Sequence, residues 1–177
     1  YIEMWNKARL HQALWNSIKV GVIASIISTF IALFAAKAFT RYRVKYSGLS
    51  YGAILLPFII PEIIIAVAFI VIWTSMGLKL GLIPITISHV LYCTPFCLLI
   101  LISRMDGFDK SLEEASMDLG ENVFGTFWRV TFPLLLPGII ASLLLSFVIS
   151  FDEIILAFFL SSSDQTLPIY MWSQLRF

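Results

Sequence analysis

Four long apolar stretches constrain this chain more than any other feature of its sequence. They cover about residues 13–36, 51–73, 83–102 and 134–160, and each reaches the roughly 20 apolar residues that cross about 30 Å of hydrocarbon. None alternates with the two-residue period of a membrane barrel strand, so they predict helices. Charged residues make up only 13% of the chain, against about 25% in soluble domains. We therefore expect an all-α, polytopic transmembrane helical bundle forming a single domain over residues 1–177.

Composition excludes several classes of function. The net charge of +1 offers no basic surface for nucleic acid. Cys93 and Cys97, four residues apart in an apolar stretch, are expected to be packing residues, with no metal site. No Walker phosphate loop is present, and no paired His ligands or activated nucleophile suggest an enzyme. The chain lacks an initiator Met and a visible signal peptide, so we expect a piece of a longer polytopic protein.

Basic residues predict which loops face the cytoplasm. The loop after the first stretch and the loop after the third are the basic ones, with Lys37, Arg41, Arg43 and Lys45 in one and Arg104, Lys110 and Arg129 in the other. The loop after the second stretch holds only Lys79, and the tail holds only Arg176. The positive-inside rule places the two basic loops in the cytoplasm. The opening segment, Tyr1 to Lys19, disagrees because its three basic residues would lie outside.

The polar segment 104–133 interrupts the apolar sequence and predicts two short helices joined by a turn. Ser111 and Glu114 have the spacing of a capping box, and Gly120 is placed to end the first helix. That helix would show a small, partly apolar face made by Leu112, Ala115, Ser116 and Leu119. Asn122 is expected to cap a second helix carrying Phe124, Phe127 and Trp128, and two prolines, Pro133 and Pro137, would mark the start of the fourth stretch. Such a face suits docking into a groove on a partner protein.

The spacing within this segment resembles a known motif. Glu114-Ala115-Ser116, then Gly120, Val130 and Pro133, is similar to the Glu-Ala-Ala motif of ABC importer permeases, with Ser116 where a second Ala is common. The resemblance implies a type I ABC importer permease (MetI-like) fold. It also implies that this segment is a cytoplasmic coupling helix that docks on an ATPase subunit, which binds ATP and Mg²⁺, so that the permease needs no cofactor. The residues it assigns to coupling are Glu114, Ala115, Ser116, Asp118, Leu119, Gly120, Val130 and Pro133. Glu114 would either cap the helix or form an ion pair across the interface.

Further segments resemble the spermidine/putrescine branch of these permeases. They are Leu14-Trp15-Asn16-Ser17, Leu56-Pro57, Ile60-Pro61-Glu62-Ile63, Ser150-Phe151-Asp152-Glu153, Thr166-Leu167-Pro168-Ile169-Tyr170 and Leu175-Arg176-Phe177. Typical members have six spans, so this chain would lack the first and the last.

Three acids lie inside the apolar stretches: Glu62, Asp152 and Glu153. Ionisable residues at membrane depth are costly and point to function. Carboxylates in a translocation path would offset the desolvation of a polycation, and Tyr92 and Phe151 would add cation–π contacts. Alternatively, the acids cap helix breaks or pair with a partner permease. His89 is expected to be a hydrogen-bonded interior residue.

Prolines at positions 57, 61 and 95 predict irregular helices that either line a cavity or are simple kinks. The favoured function is a permease for polyamines in the bacterial inner membrane. It would work with a second, homologous permease, two ABC ATPases, and a periplasmic or extracellular solute-binding protein. The alternatives are a permease for another small solute (iron, an opine or an amino-acid derivative) and a secondary transporter driven by an ion gradient.

Overall fold

The structure, a computed structural model, describes residues 8–42 and 46–175, and these ranges contain helices and no strand. In chain order the elements are α1 (Ala8–Arg41), α2 (Ser47–Ile59), α3 (Glu62–Ser75), α4 (Leu82–Asp106), α5 (Ser111–Asp118), α6 (Val123–Thr126), a π-helical turn (Phe127–Thr131), α7 (Phe132–Asp152), α8 (Ile155–Leu160) and α9 (Leu167–Leu175). The loop residues Arg43 and Lys45, the terminal Arg176 and Phe177, and the opening segment as far as Lys7 lie outside the described residues.

Among the described residues, three helical segments are long and apolar enough to cross a membrane: Ala8–Arg41, Leu82–Asp106 and Val123–Asp152. The bent pair α2 and α3 would add a fourth if it forms one span. The first is longer at both ends than the predicted stretch 13–36. The third begins before residue 134, because α6, the π-helical turn and α7 follow one another without a break. Pro95 lies inside α4, which continues past it.

The core of the bundle is formed by α1, α4 and α7, which pack against one another. Their contact faces carry small polar residues, including the buried Ser28 of α1 and the buried Ser142 and Ser146 of α7. Small side chains allow helix backbones to approach closely within a membrane. Gly21 of α1 shows how close this approach is, because a Cβ atom added there would lie 3.0 Å from the ring of Phe147 in α7.

The second apolar stretch is sharply bent. Its two halves, α2 and α3, meet at Ile60–Pro61 at an angle of 103°. Ile60 is extended (φ −76°, ψ 132°), because the residue before a proline is driven out of the helical region. Pro61 lacks an N–H group and cannot continue the ladder of α2. The irregularity expected here is therefore present as a bend, while Pro57 is accommodated inside α2.

The fourth apolar stretch is also interrupted. α7 ends at Asp152, Glu153 is extended (ψ 125°), and α8 begins at Ile155. Neither proline nor glycine lies at this break. The prediction of one span over residues 134–160 did not anticipate it, because the break depends on the Glu153 side chain described below.

The two ends of the bundle are defined by contacts between distant parts of the chain. At one end Arg104 Nε donates to the carbonyl oxygen of Leu134 at 3.3 Å, which joins the end of α4 to the start of α7. At the opposite end the Asn16 side chain donates to the carbonyl oxygen of Gln165 at 3.0 Å. The segment 104–133 therefore lies at the same end of the bundle as the last residue of α1, Arg41, whose Nη2 donates to the carbonyl oxygen of Met105. Its cytoplasmic placement stays a prediction.

Candidate functional site

An open cavity lies beside the two helix breaks. It encloses about 320 Å³ and is lined by Glu62, Tyr92, Val148, Ile149, Asp152, Glu153, Ile154 and Ile155. Tyr92 is about 15 Å from the first residue of α4 and about 21 Å from its last, at a rise of about 1.5 Å per residue. Four of the five residues predicted to line a substrate pathway thus meet at mid-depth in the bundle. No lysine or arginine is among the lining residues.

Two of the three acids in this cavity remain accessible. Glu62, at the first turn of α3, is half-buried and accepts a hydrogen bond from the Tyr92 hydroxyl. Asp152 is exposed at the end of α7. Within the part of the chain that the structure describes, Asp152 has neither an ion pair nor a hydrogen bond to its carboxylate. Both carboxylates can therefore face a ligand in the cavity.

Glu153 has a different environment. Its carboxylate accepts hydrogen bonds from the backbone N–H groups of Leu156 (2.8 Å) and Ala157 (3.1 Å) in the first turn of α8. His89 Nε2 lies 3.1 Å from Glu153 Oε2, without the geometry of a hydrogen bond. His89 Nδ1 is 2.7 Å from Ser150 Oγ. Glu153 thus caps a helix break, which was the alternative to a role in the substrate pathway. His89 is a hydrogen-bonded interior residue, as predicted.

Phe151, the fifth predicted pathway residue, lies outside the lining of the cavity. Its ring is 5.7 Å from the ring of Phe147. Consecutive residues of a helix point about 100° apart, so Asp152 can face the cavity while Phe151 does not. Cys93 and Cys97 are buried free thiols, consistent with the packing role expected of them. Ser150 was not foreseen as a partner of His89, since no local pattern links residues on two different helices.

The first helix of the coupling segment, α5, is not capped as predicted. Asp109 Oδ1 accepts the backbone N–H of Ser111 at 2.9 Å, and this hydrogen bond holds the pKa of Asp109 below its ordinary value. Lys110 already has helical dihedrals, so Ser111 lies inside the helix and cannot cap it. Glu114 does not reach back to Ser111 but lies 3.4 Å from Lys110 Nζ. The capping box was therefore wrong, and the ion-pair role of Glu114 toward a partner stays a prediction.

Several residues predicted to contact an ATPase form one exposed surface. This predicted docking surface comprises Ala115, Asp118, Leu119 and Gly120, together with Leu112 of the predicted helix face. Leu119 is 89% exposed. Gly120 follows the helix with φ +96°, a conformation that favours glycine, and so ends α5 as predicted.

Ser116 lies on the same side of α5 as Leu112, about one turn further along the helix. It is half-buried, and its Oγ lies 3.1 Å from Thr126 Oγ1. Its contact with an ATPase stays a prediction.

The second short helix is capped as expected but does not stay separate. Asn122 Oδ1 accepts the N–H of Gly125 at 2.8 Å. α6 then continues through the π-helical turn, in which the Phe132 N–H bonds to the carbonyl of Phe127. The half-buried Val130 lies within this turn, and the exposed Pro133 lies in the first turn of α7. A proline is tolerated there, and the wider π-turn relieves its clash with the preceding turn, so Pro133 does not break the helix.

Glu113 is the residue of this segment that sequence reasoning missed. It is the buried residue of α5, and its carboxylate bonds to Arg41 of α1 and to Thr131 of the π-helical turn. The sequence carries only a weak signal for this role. Glu113 and Glu114 are adjacent, and no local pattern indicates which of the two side chains faces the rest of the protein.

Comparison with known proteins identifies the family. Residues 28–176 match the family described as binding-protein-dependent transport system inner membrane component. The chain is 29% identical to the spermidine/putrescine transport system permease protein PotC of Escherichia coli (strain K12), over 99% of this chain and 67% of that protein. It is 27% identical to the putrescine transport system permease protein PotI of the same organism, over 99% of this chain and 66% of that protein. The chain thus spans about two thirds of the length of both relatives.

The fold is shared with a solved structure. The crystal structure of a bacterial ABC transporter involved in the import of the acidic polysaccharide alginate superposes with a TM-score of 0.79, at 18% identity, over 98% of this chain and 60% of that chain. This likeness confirms the all-α permease fold. Since the family match covers most of the chain and several helices can span a membrane, this chain belongs to the inner membrane components of binding-protein-dependent transport systems.

Proposed function

We propose that this chain is a permease subunit of an ATP-driven importer and that its substrate is a polyamine. The family match and the names of the two polyamine permeases support the proposal. The observation that carries it is the cavity beside the two helix breaks, where Glu62 and Asp152 present carboxylates and no basic residue lines the wall.

The charge of the cavity indicates the charge of the substrate better than the fold does. The structural neighbour takes part in the import of an acidic polysaccharide, so a shared fold does not determine the charge of the substrate. A polyamine loses hydration when it enters a low-dielectric passage, and facing carboxylates offset that cost. The Tyr92 ring adds a polarisable surface for an ammonium group. An anionic substrate would instead be repelled by the same residues.

The proposed partners are two ABC ATPases, a second homologous permease and a periplasmic or extracellular solute-binding protein. The ATPases would bind ATP and Mg²⁺ and contact the docking surface on α5. Closure of the two ATPases would then move this segment and alter which side of the bundle is open. The exposed apolar side chains of Leu112 and Leu119 lie on one face of α5 and support a protein contact there.

The test is uptake of labelled spermidine and putrescine by cells that carry the complete system and lack their own polyamine uptake. Replacing Glu62→Gln or Asp152→Asn removes one carboxylate from the cavity. A bond to a charged group contributes about 1.5–3 kcal/mol, so we expect KM to rise about tenfold or more. The control is Asp106→Asn, an exposed acid at the end of α4, which should leave KM unchanged.

Two outcomes would contradict the proposal. An unchanged KM for both polyamines in both cavity variants would exclude these acids as ligands and favour another small solute. Loss of uptake when the proton gradient is dissipated while ATP is maintained would favour the ion-gradient carrier.

A further inference from the structure

We infer that Glu113 is a positioning residue that connects the docking segment to three membrane helices. The inference rests on the proposed function, because it concerns how movement of α5 reaches the bundle. It starts from one buried carboxylate. Glu113 is 7% exposed, whereas the neighbouring Leu112 and Glu114 are exposed.

Each oxygen of this carboxylate bonds to a different part of the fold. Oε2 accepts from Arg41 Nε at 2.5 Å, at the last residue of α1. Oε1 accepts from the Thr131 hydroxyl at 2.5 Å, immediately before α7. The Arg41 and Glu113 side chains are only 10% and 9% exposed, so water competes little for this contact.

Arg41 extends the link to a third helix. Its Nη2 donates to the carbonyl oxygen of Met105 at 3.1 Å, in the last turn of α4. Its guanidinium also lies 4.9 Å from the centre of the Phe108 ring, in the turn between α4 and α5. The ends of α1 and α4 and the start of α7 are therefore joined to α5 through two side chains.

The local backbone supports a role in transmitting motion. Thr131 is the last residue of the π-helical turn, and such turns within α-helices are frequently found at functional sites. Helices α1, α4 and α7 form the core of the bundle. A movement of the docking surface on α5 would therefore be transmitted to this core through a buried, charged contact and not through the connecting loop alone.

The test compares coupling in the complete transporter. In the variant Glu113→Ala, both hydrogen bonds are lost while the docking surface is kept. Polyamine transported per ATP hydrolysed should fall by roughly 2- to 30-fold, the range over which single substitutions usually change the coupling between two sites, with ATPase association retained. Glu113→Gln keeps an acceptor for Thr131 and should lose less. The control Asp106→Asn should match the wild type.

A double-mutant cycle tests whether Arg41 and Glu113 act through one contact. The double variant Arg41→Ala with Glu113→Ala should be no worse than the poorer single variant, because neighbours that share an interaction are not additive. Additive losses would overturn the inference. So would equal proportional losses of uptake and ATP hydrolysis in an assembled complex, since a merely structural role predicts that result.

A second measurement does not depend on transport. Lys110 lies at the start of α5 with a side chain 60% exposed, so trypsin can report on how firmly the helix is held. In inside-out membrane vesicles, cleavage after Lys110 should be several times faster in Glu113→Ala and Glu113→Gln than in the wild type or Asp106→Asn. Equal cleavage in all four proteins would refute the link. If wild-type transporter shows no polyamine-dependent ATP hydrolysis, the proposed function fails, yet this comparison still decides the role of Glu113.

Discussion

Substitutions of the neighbouring acids Asp152 and Glu153 should change the free energy of unfolding by very different amounts, although nothing in the sequence distinguishes the two residues. Glu153 is 7% exposed and caps α8, whereas Asp152 is exposed. We therefore expect Glu153→Ala to lower the free energy of unfolding and Asp152→Asn to leave it nearly unchanged. The two substitutions test whether the break between α7 and α8 is held by this side chain.

The magnitude follows from the two backbone N–H groups that Glu153 accepts, at 2.8 and 3.1 Å. In soluble proteins a bond to a charged group contributes about 1.5–3 kcal/mol, whereas bonds between membrane helices average about 0.6 kcal/mol. Two bonds therefore give about 1–6 kcal/mol for Glu153→Ala, with about 3 kcal/mol as the central value. Glu153→Gln keeps one acceptor oxygen and should lose about half. An exposed substitution such as Asp152→Asn should stay within about 0.5 kcal/mol.

The assay is reversible unfolding in mixed detergent micelles with increasing dodecyl sulfate, followed by circular dichroism. Uptake kinetics on the same variants separate stability from binding, since Asp152→Asn should raise KM without lowering stability. The reasoning would be refuted if Asp152→Asn lowered the free energy of unfolding as much as Glu153→Ala.

Two further predictions concern the coupling segment. Gly120 has φ +96°, so Gly120→Val should add about 1–3 kcal/mol of local strain. The variant should weaken association with the ATPases while the protein stays inserted in the membrane. Co-purification of the ATPases measures this, and unchanged association would count against docking at Gly120. The pKa of Asp109 is lowered by the Ser111 N–H, so its stabilisation of α5 is complete above the unfolded pKa near 3.8 and is lost as the pH falls through the lower folded value. Protection of the Ser111 amide against hydrogen exchange, measured relative to the intrinsic rate, should therefore fall in acid. It should fall less in Asp109→Asn, whose amide oxygen can still accept the Ser111 N–H. Protection that stays constant after the Asp109 carboxylate is fully protonated would contradict this.

Local patterns in the sequence predicted several residues at which helices begin, end or break. Gly120 ends α5 because its positive φ suits glycine, and Pro61 breaks the second apolar stretch because it lacks an N–H group. Asn122 caps α6 through its own side chain. Each effect acts within a few residues, so it can be read from one segment. The capping box at Ser111 failed within the same range because Asp109, two residues earlier, competes for the same N–H.

Contacts between segments could not be predicted in this way. His89 and Ser150 are 61 positions apart in the sequence, and Arg41 and Glu113 are 72 apart. Whether such residues meet depends on how each helix is rotated and where each is bent. An acid next to another acid therefore looks the same in the sequence whether it caps a helix, as Glu153 does, or faces a cavity, as Asp152 does.

By itself the sequence determined the membrane class, the helical architecture and the family, because the length of apolar runs and the spacing of the motif from Glu114 to Pro133 are properties of a single chain segment. Only the tertiary structure decided which acids remain accessible in the cavity and which acid joins α5 to the bundle. The physical reason is that a carboxylate takes its role from the donors around it, and those donors come from helices far away in the chain.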